Sequence, residues 1–256
     1  MIALLTNDDG INAPGFAALR EVAKKLGLKT VCMAPFREQS GIGSGRTFSY
    51  VHMERAGPDA YTVYGTPADC VCLGLSPVVR RALKLPRFNL VLSGVNYGAN
   101  VGREAIMCSG TLAAAEQAAY RGVPGIAISQ DVRDCKRRED LFRLDRVAEV
   151  LREVIGKIPK HPAIFSYNVN LPAEYRDTGR MDWLSDVDLA GGYVGDWESA
   201  KGPPGGATFR WNQRWRESQG FTDVRLLDMG CVTITFGRVG YPKLRRPKKL
   251  KPTKKA

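Results

Sequence analysis

The feature that most constrains the fold is an alternation of short apolar runs with longer stretches of helical periodicity. The apolar runs have the length of strands and lie at residues 2–6, 30–35, 89–94, 125–129, 163–170 and 231–236. Between them lie four stretches in which apolar residues recur with helical spacing, at residues 14–27, 67–83, 109–122 and 141–158. Strands that alternate with helices predict an α/β fold, with a mostly parallel sheet covered by helices on both faces.

The remaining segments complete the predicted organisation. Residues 47–54 and 61–65 are predicted to form two further strands, arranged as a hairpin, and a loop rich in Gly and Ser precedes them. Residues 172–220 lose the alternation and are rich in Gly, Pro, Trp and Arg, which predicts an irregular excursion or an oligomerisation arm. We therefore expect one domain over residues 1–240, with its core at 1–171, the arm at 172–220 and a closing strand at 231–236.

The positive charge of the chain is concentrated at one end. The net charge is +12 over 256 residues, but residues 241–256 carry eight Lys or Arg and no acid, so the rest has a net charge of only +4. Three prolines and few apolar residues predict that this tail is disordered. Two interpretations stay open, since a basic tail can attract RNA and other polyanions or can simply keep the protein soluble.

Cysteine and histidine usage excludes several classes of site. The six cysteines form no C-x-x-C pair and lie mostly among apolar residues, which predicts buried reduced thiols. The two histidines, His52 and His161, are far apart, which argues against a His-rich zinc hydrolase. No apolar stretch approaches the ~20 residues of a membrane span, and the N-terminus lacks the pattern of a signal peptide, so we expect a cytoplasmic protein without membrane contact.

Polar residues follow three of the predicted strands. Asp8 and Asp9 come directly after the first strand, Ser40 lies in the loop after the second, and Asn96 follows the strand at 89–94. In an open parallel sheet these strand ends share one edge, where ligands bind. Two carboxylates, a hydroxyl and an amide oxygen form a donor set that Mg²⁺ and Mn²⁺ prefer. The alternative interpretation is a group of ordinary polar turns.

A second feature indicates anion binding. Ser109, Gly110 and Thr111 open a predicted helix, where free backbone N–H groups and the helix dipole favour a phosphate, although a plain helix cap has the same sequence pattern. The glycines at 41, 43 and 45 do not have the G-x-G-x-x-G spacing, and the chain contains no G-x-x-x-x-G-K-[ST] motif. The residues thus favour metal-assisted chemistry on a phosphate ester over dinucleotide binding or P-loop hydrolysis.

Six segments follow one another along the chain, namely NDDGINAPG, the QSG loop, YGTPADCV, LSGVNYGAN, CSGTLAAAEQAA and YNVNLP. In this order they resemble the SurE family of survival-protein 5'-nucleotidases, and the resemblance covers roughly residues 1–171. The resemblance implies a Rossmann-like α/β core and phosphatase activity on nucleoside 5'-monophosphates, extended in related proteins to 3'-nucleotides and short polyphosphate. It also implies one divalent cation per subunit, Mg²⁺ or Mn²⁺, and a homodimer or homotetramer whose C-terminal parts exchange between subunits.

The resemblance assigns roles to individual residues. The family's metal ligands correspond to Asp8, Asp9, Ser40 and Asn96, and the catalytic residues we expect are Asp8, Asp9 and Asn96. The acid that is less engaged with the metal would orient or deprotonate water. Phosphate oxygens would be held by Asn100 together with Ser109, Gly110 and Thr111. The chain departs from the family pattern at Glu104, at Cys108, at Thr235–Gly237, over 172–220 and in its basic tail.

Two rival functions are less consistent with the sequence. A phosphatase with an aspartate nucleophile would need Asp-x-Asp after the first strand, whereas the two acids here are adjacent. A nucleic-acid-binding protein with a degenerate site could use the tail and the aromatic and basic residues of the arm to stack bases. Those arm residues, which could instead pack at a subunit interface, are Trp197, Arg210, Trp211, Arg214, Trp215 and Arg216.

Overall fold

The computed structural model describes residues 1–133, 142–159, 165–173, 181–184, 192–202, 208–216 and 222–238. The strands are β1 (Ile2–Thr6), β2 (Lys29–Pro35), β3 (Met53–Gly57), β4 (Ala60–Val63), β5 (Leu90–Tyr97), β6 (Gly125–Gln130), β7 (Phe165–Leu171), β8 (Met181–Leu184), β9 (Gly192–Ala200), β10 (Thr208–Arg216) and β11 (Val232–Arg238). The helices are α1 (Pro14–Lys25), α2 (Pro67–Leu75), α3 (Pro77–Leu83), α4 (Arg103–Cys108), α5 (Gly110–Tyr120), α6 (Leu144–Lys157) and α7 (Asp223–Asp228).

Nine of these strands form one sheet in the order β3-β4-β2-β1-β5-β6-β7-β11-β8. The central strands from β4 to β7 are all parallel, whereas β3 runs antiparallel to β4 and β11 antiparallel to β7. The prediction of a mostly parallel α/β sheet is therefore confirmed. The parallel register places the carboxyl ends of β1, β2 and β5 on one edge, which we call the carboxyl edge.

The buried side chains of the sheet divide between its two faces. Leu4 of β1 belongs to a cluster with residues of α2 and α5, whereas the adjacent Leu5 belongs to a cluster with residues of α1 and α6. Leu90 and Val91 of β5 alternate in the same way. Because successive strand residues point to opposite faces, this division shows that helices cover both faces of the sheet, as the sequence predicts.

The stretch predicted as one helix over 67–83 is two helices. Ser76 has φ −65° and ψ 125°, an extended conformation that ends α2 and caps α3. The residue before a proline is disfavoured in the helical region because the proline ring clashes with its backbone. Pro77 is therefore the physical reason for the break, and it occupies the first turn of α3, where a missing N–H is tolerated.

The predicted hairpin is present, but its first strand begins later than expected. β3 starts at Met53, so residues 47–52 are not part of the strand. Within that segment Phe48 is 90% exposed and Tyr50 is fully exposed, and alternating aromatic residues alone do not hold a strand against the sheet. The segment is positioned instead by hydrogen bonds from Thr47 to the buried Asp69.

The arm is more regular than its composition indicates. Within residues 172–220, the described part contains β8, which joins the main sheet, and an antiparallel pair, β9 and β10. The prediction of an irregular excursion is therefore wrong for these residues. Gly, Trp and Arg obscure the strand signal there because glycine weakens strands and the apolar alternation is incomplete. The role of the arm in oligomerisation stays a prediction.

One residue of the arm packs firmly against the same chain. The guanidinium of Arg133 lies 3.3 Å from the ring centroid of Trp215 and donates to both Asp131 and Asp228. The indole N–H of Trp215 also donates to Asp228, over 3.3 Å. Trp215 thus packs against residues of its own chain. Residues 241–256, the basic tail of the nucleic-acid interpretation, lie outside the described part of the chain.

The cysteine prediction is confirmed for most of the described thiols. Cys32, Cys70, Cys72 and Cys231 are free and buried, while Cys108 is free but exposed. None of the helices in the described ranges is long and apolar enough to cross a membrane.

Asp69 connects the start of α2 to the glycine-rich loop. Its carboxylate is 2% exposed and accepts from the backbone N–H and hydroxyl of Thr47, at 3.0 and 2.8 Å, and from the N–H of Thr66 at 3.0 Å. The N–H of Asp69 in turn donates to the hydroxyl oxygen of Thr66, which completes a capping box. The Thr66 hydroxyl also donates to the carbonyl of Gly45 at 2.7 Å. One carboxylate therefore satisfies the donors of two separate segments.

We expect the substitution Asp69→Asn to destabilise the protein by about 1–3 kcal/mol, because an amide nitrogen would face donors that now meet a carboxylate. The measurement is urea unfolding followed by circular dichroism. The matched control is Asp59→Asn, at the exposed turn between β3 and β4, which should change the stability by less than about 0.5 kcal/mol. Equal unfolding midpoints for the two variants would contradict this account of Asp69.

Candidate active site

At the carboxyl edge, Asp8 contacts the start of α5. Asp8 is 4% exposed and accepts hydrogen bonds from the Thr111 hydroxyl and from the Thr111 backbone. Its own carbonyl accepts from the N–H of Gln39, at 2.7 Å, in the loop after β2. The residue thus joins three segments that are distant in sequence.

Gly110 permits the close approach of α5 to Asp8. A Cβ added at Gly110 would lie 2.9 Å from the Cβ of Asp8 and 3.0 Å from its Oδ2, closer than side chains tolerate. The same Cβ would lie 3.1 Å from a methyl carbon of Ile42 in the glycine-rich loop. Glycine is therefore required at this position by space and not by an unusual backbone conformation.

Asp9 is more accessible than Asp8. It is partly exposed, and the backbone of Tyr97, at the end of β5, hydrogen-bonds to its carboxylate. Because β1 and β5 are parallel neighbours, with Thr6 opposite Ser93, the loop after β1 lies against the extended end of β5. Asp9 therefore faces the strand that also carries Asn96.

The two acids lie in an environment that disfavours their charge. Burial raises the pKa of Asp8 above its ordinary value, and the hydrogen bonds from Thr111 only partly offset this shift. Burial, together with the negative charges of Asp8 and Glu38, raises the pKa of Asp9 to about 7. Since the neighbouring charges that act on Asp9 are negative, a cation at this edge would stabilise both carboxylates.

The donor chemistry fits a hard divalent cation. Ser40 is exposed in the loop after β2, and its hydroxyl donates to Glu38 at 2.8 Å. The side-chain N–H of Asn96 donates to the carbonyl of Gly98 at 2.7 Å. The amide oxygen of Asn96 is an acceptor and could bind a cation. Within the described ranges no cluster of three or more His, Cys, Asp or Glu could hold a metal. A metal here would therefore use the hydroxyl and amide oxygens as well as the two acids.

The start of α5 has the geometry of a capped helix. Ser109 is the N-cap, and its hydroxyl accepts from the N–H of Leu112 at 3.0 Å. The carbonyl of Cys108 accepts from the N–H of Gly43 at 2.9 Å, so the glycine-rich loop packs on the junction of α4 and α5. Residues 109–111 therefore lie against Asp8, and Thr111 binds the carboxylate of Asp8 directly. Phosphate contacts by these residues stay a prediction.

Asn100 belongs to a different group of buried polar residues. Its side-chain N–H donates to the Ser129 hydroxyl at 2.9 Å, and its backbone N–H donates to the side chain of Asn170 at 2.7 Å. Its carbonyl accepts from the Asn168 side chain at 2.8 Å. The segment YNVNLP contains both of these asparagines, but no role for them follows from the sequence alone. The contact of Asn100 with phosphate stays a prediction.

Two residues to which the sequence analysis assigned no role help to form the site. Gln39 supplies the backbone donor to Asp8, and Asp69 holds the loop that packs on α5. The capping pattern Thr66-x-x-Asp69 is a local signal for the second of these. No local signal identifies Gln39, because its contact depends on the pairing of β1 with β2.

Comparison with known proteins identifies the family. A family model described as Survival protein SurE matches residues 3–186. The 5'-nucleotidase SurE of Rhodopirellula baltica is 35% identical over 246 residues, covering 92% of this chain and 91% of that protein. The 5'-nucleotidase SurE of Aquifex aeolicus is 42% identical over 173 residues, covering 66% of this chain and 64% of that protein. The crystal structure of the SurE protein from Aquifex aeolicus aligns with a TM-score of 0.74 at 30% identity, covering 95% of both chains. The family model covers most of the sequence and the solved structure shares the fold, so the chain belongs to the SurE family.

Proposed function

We propose that this protein is a metal-dependent 5'-nucleotidase, which hydrolyses nucleoside 5'-monophosphates to a nucleoside and phosphate. The observation that carries the proposal is the pair of adjacent carboxylates, Asp8 and Asp9, at the carboxyl edge, with Asp8 against the N-terminus of α5. The relatives named 5'-nucleotidase SurE support the same activity. We extend the proposed substrate range to 3'-nucleotides and short polyphosphate.

The proposed cofactor is one Mg²⁺ or Mn²⁺ per subunit, held by Asp8, Asp9, Ser40 and Asn96. When bound, such an ion polarises the phosphate and makes water a better nucleophile. Its fit is supported by the oxygen donors and by the raised pKa values of the two acids. The proposed assembly is a homodimer or homotetramer.

The surroundings of the two acids suggest different roles for them. Asp8 is buried and held by Thr111, so its carboxylate is fixed in position. Asp9 is more exposed and has fewer hydrogen bonds, so we assign to it the orientation of the attacking water and the acceptance of its proton. A bond then forms between the water oxygen and phosphorus, while the bond from phosphorus to O5' breaks and the leaving oxygen takes up a proton from solvent water.

The start of α5 is proposed to stabilise the phosphate. The backbone N–H of Gly110 lies at the positive end of the helix dipole, where it would stabilise the charge that increases on the phosphate oxygens during the reaction. Asn100 is proposed to contribute from the adjacent loop. These groups are held by the fold before substrate binds, which reduces the cost of orienting them in the transition state.

We expect Asp9→Asn and Asp8→Asn to abolish phosphate release, because the amide removes the negative charge while preserving the shape of the side chain. Phosphate release from a panel of nucleoside 5'- and 3'-monophosphates would be measured on metal-stripped protein and again after addition of Mg²⁺ or Mn²⁺. The matched control is Glu21→Gln, an exposed carboxylate on α1. Near-normal turnover by both aspartate variants, or full turnover of the metal-stripped protein, would refute the proposed site.

We expect Gly110→Ala to lower the rate of phosphate release by about 10²-fold, because the new methyl group must displace Asp8 or the start of α5 and small misplacements of catalytic groups are costly. The control is Gly156→Ala on α6, where an added Cβ meets no atom within 4 Å. Both variants would be assayed for turnover and for unfolding midpoint. Wild-type turnover of Gly110→Ala would show that the close approach of α5 to Asp8 is not needed.

A further inference from the structure

A cavity of about 430 Å³ lies beside the carboxyl edge, at the ends of β2 and β4. This volume is within the range of about 300–1,000 Å³ that is typical of small-molecule sites. Several lining residues carry aromatic, amide or hydroxyl groups, and those that the argument uses are Phe36, Arg37, Gln39, Thr47 and Tyr64. The roles assigned above to the acid pair and α5 do not involve this cavity.

Two aromatic rings form one wall of the cavity. The rings of Phe36 and Tyr64 are stacked, with centroids 4.8 Å apart and an interplanar angle of 19°. They follow directly after Pro35 and Val63, which are paired in the parallel ladder, and Phe36 N–H donates to Val63 carbonyl at 2.8 Å. The backbone therefore fixes both rings on the same edge of the sheet.

The aromatic wall is open to a ligand. Phe36 is 56% exposed and Tyr64 is 41% exposed, although each ring already stacks on the other. The tilted ring of His52 also lies near Tyr64, with centroids 5.4 Å apart, so Tyr64 has two aromatic neighbours. Phe36 is the more exposed ring and offers a flat apolar surface. Such a surface suits a nucleobase, because every base has a π-face that can stack on an aromatic side chain.

The polar residues of the cavity are also suited to a base. Gln39 has an amide that can donate and accept, and Thr47 has a hydroxyl oxygen that can accept while its proton is donated to Asp69. Arg37 is a cation, and none of the described residues that line the cavity is acidic. The combination of one aromatic surface with a few hydrogen-bonding groups is typical of sites for small heteroaromatic ligands.

Backbone hydrogen bonds hold the segment that lines the cavity next to the acid pair. Gln39 lines the cavity through its position after β2, and its N–H binds the carbonyl of Asp8 at 2.7 Å. The N–H of Ile11, two residues after Asp9, donates to the carbonyl of Pro35 at 2.9 Å. Arg37 and Gln39 also line a second cavity, of about 340 Å³, that includes Ser40. A ligand with its phosphate at the acids could therefore extend past Gln39 toward Phe36.

We propose that this cavity is the base-binding subsite, in which the nucleobase of the substrate stacks on Phe36 with Tyr64 supporting that ring from behind. This inference rests on the proposed nucleotidase function, because it places the phosphate of the same substrate at Asp8 and Asp9. It assigns Phe36 as a residue that determines the preference for nucleotides over phosphate esters that lack a base.

The test compares two substrates in the full-length protein, AMP and ribose 5-phosphate, which differ by the base. The measured quantity is the ratio of their kcat/KM values. We expect Phe36→Ala to lower this ratio by about 10-fold, within the range that base stacking contributes, and Phe36→Trp to restore most of it. The matched control is Phe48→Ala, an aromatic residue that is 90% exposed and does not line the cavity. It should leave the ratio within about two-fold of wild type.

Three outcomes would overturn the subsite. They are a wild-type ratio near one, an unchanged ratio in Phe36→Ala, and an equal drop for Phe48→Ala. If the wild-type protein hydrolyses neither substrate, the proposed function fails, and the subsite is then tested by calorimetric titration with adenosine alone. Binding weakened about 10-fold by Phe36→Ala would support the subsite. Absent binding, or binding that the substitution does not change, would overturn it.

Discussion

The contact between the Asp8 carboxylate and the N-terminus of α5 is the interaction on which the rest of the carboxyl edge depends. Burying a carboxylate is unfavourable unless hydrogen bonds or opposite charge compensate it. Thr111 supplies hydrogen bonds, α5 supplies the positive end of its dipole, and Gly110 supplies the space. The compensation is incomplete, as the raised pKa of Asp8 shows. The fold therefore holds a carboxylate whose ionised form is incompletely stabilised, and a cation bound at this edge would stabilise that form.

Much of the fold is encoded by signals that act locally. The strands β1 and β2 and the helices α1 and α5 follow from apolar periodicity and from caps such as Ser109, and the structure has them close to their predicted bounds. The break at Ser76–Pro77 is also encoded locally, because a proline disfavours the helical conformation of the residue before it even where the apolar periodicity continues. The late start of β3 has no such local signal. Phe48 is exposed because its neighbour Thr47 is held by Asp69, which is distant in sequence.

The candidate site was predictable in its residue types and only partly in its contacts. Adjacent acids at the end of a first strand indicate the carboxyl edge of a parallel sheet. The partner of Asp8 is 103 residues away, and a helix-opening Thr111 has the same sequence pattern whether it binds a phosphate or a carboxylate. The contacts of Phe36 and Gln39 could not be predicted from the sequence. Their positions depend on the register of β2 with β1 and β4, which only the folded sheet defines.

Asp69 has a consequence for the energetics of ligand binding. A loop rich in glycine loses much conformational entropy when it is ordered. If the loop becomes ordered only when a ligand binds, this loss lowers the affinity for the ligand. Here Thr47 donates to the Asp69 carboxylate at the start of α2, and Gly45 accepts from the hydroxyl of Thr66. The next residues of α2, Cys70 and Val71, are fully buried. The loop is therefore ordered together with the core, as the chain folds. A ligand that arrives at the carboxyl edge meets walls that are already formed.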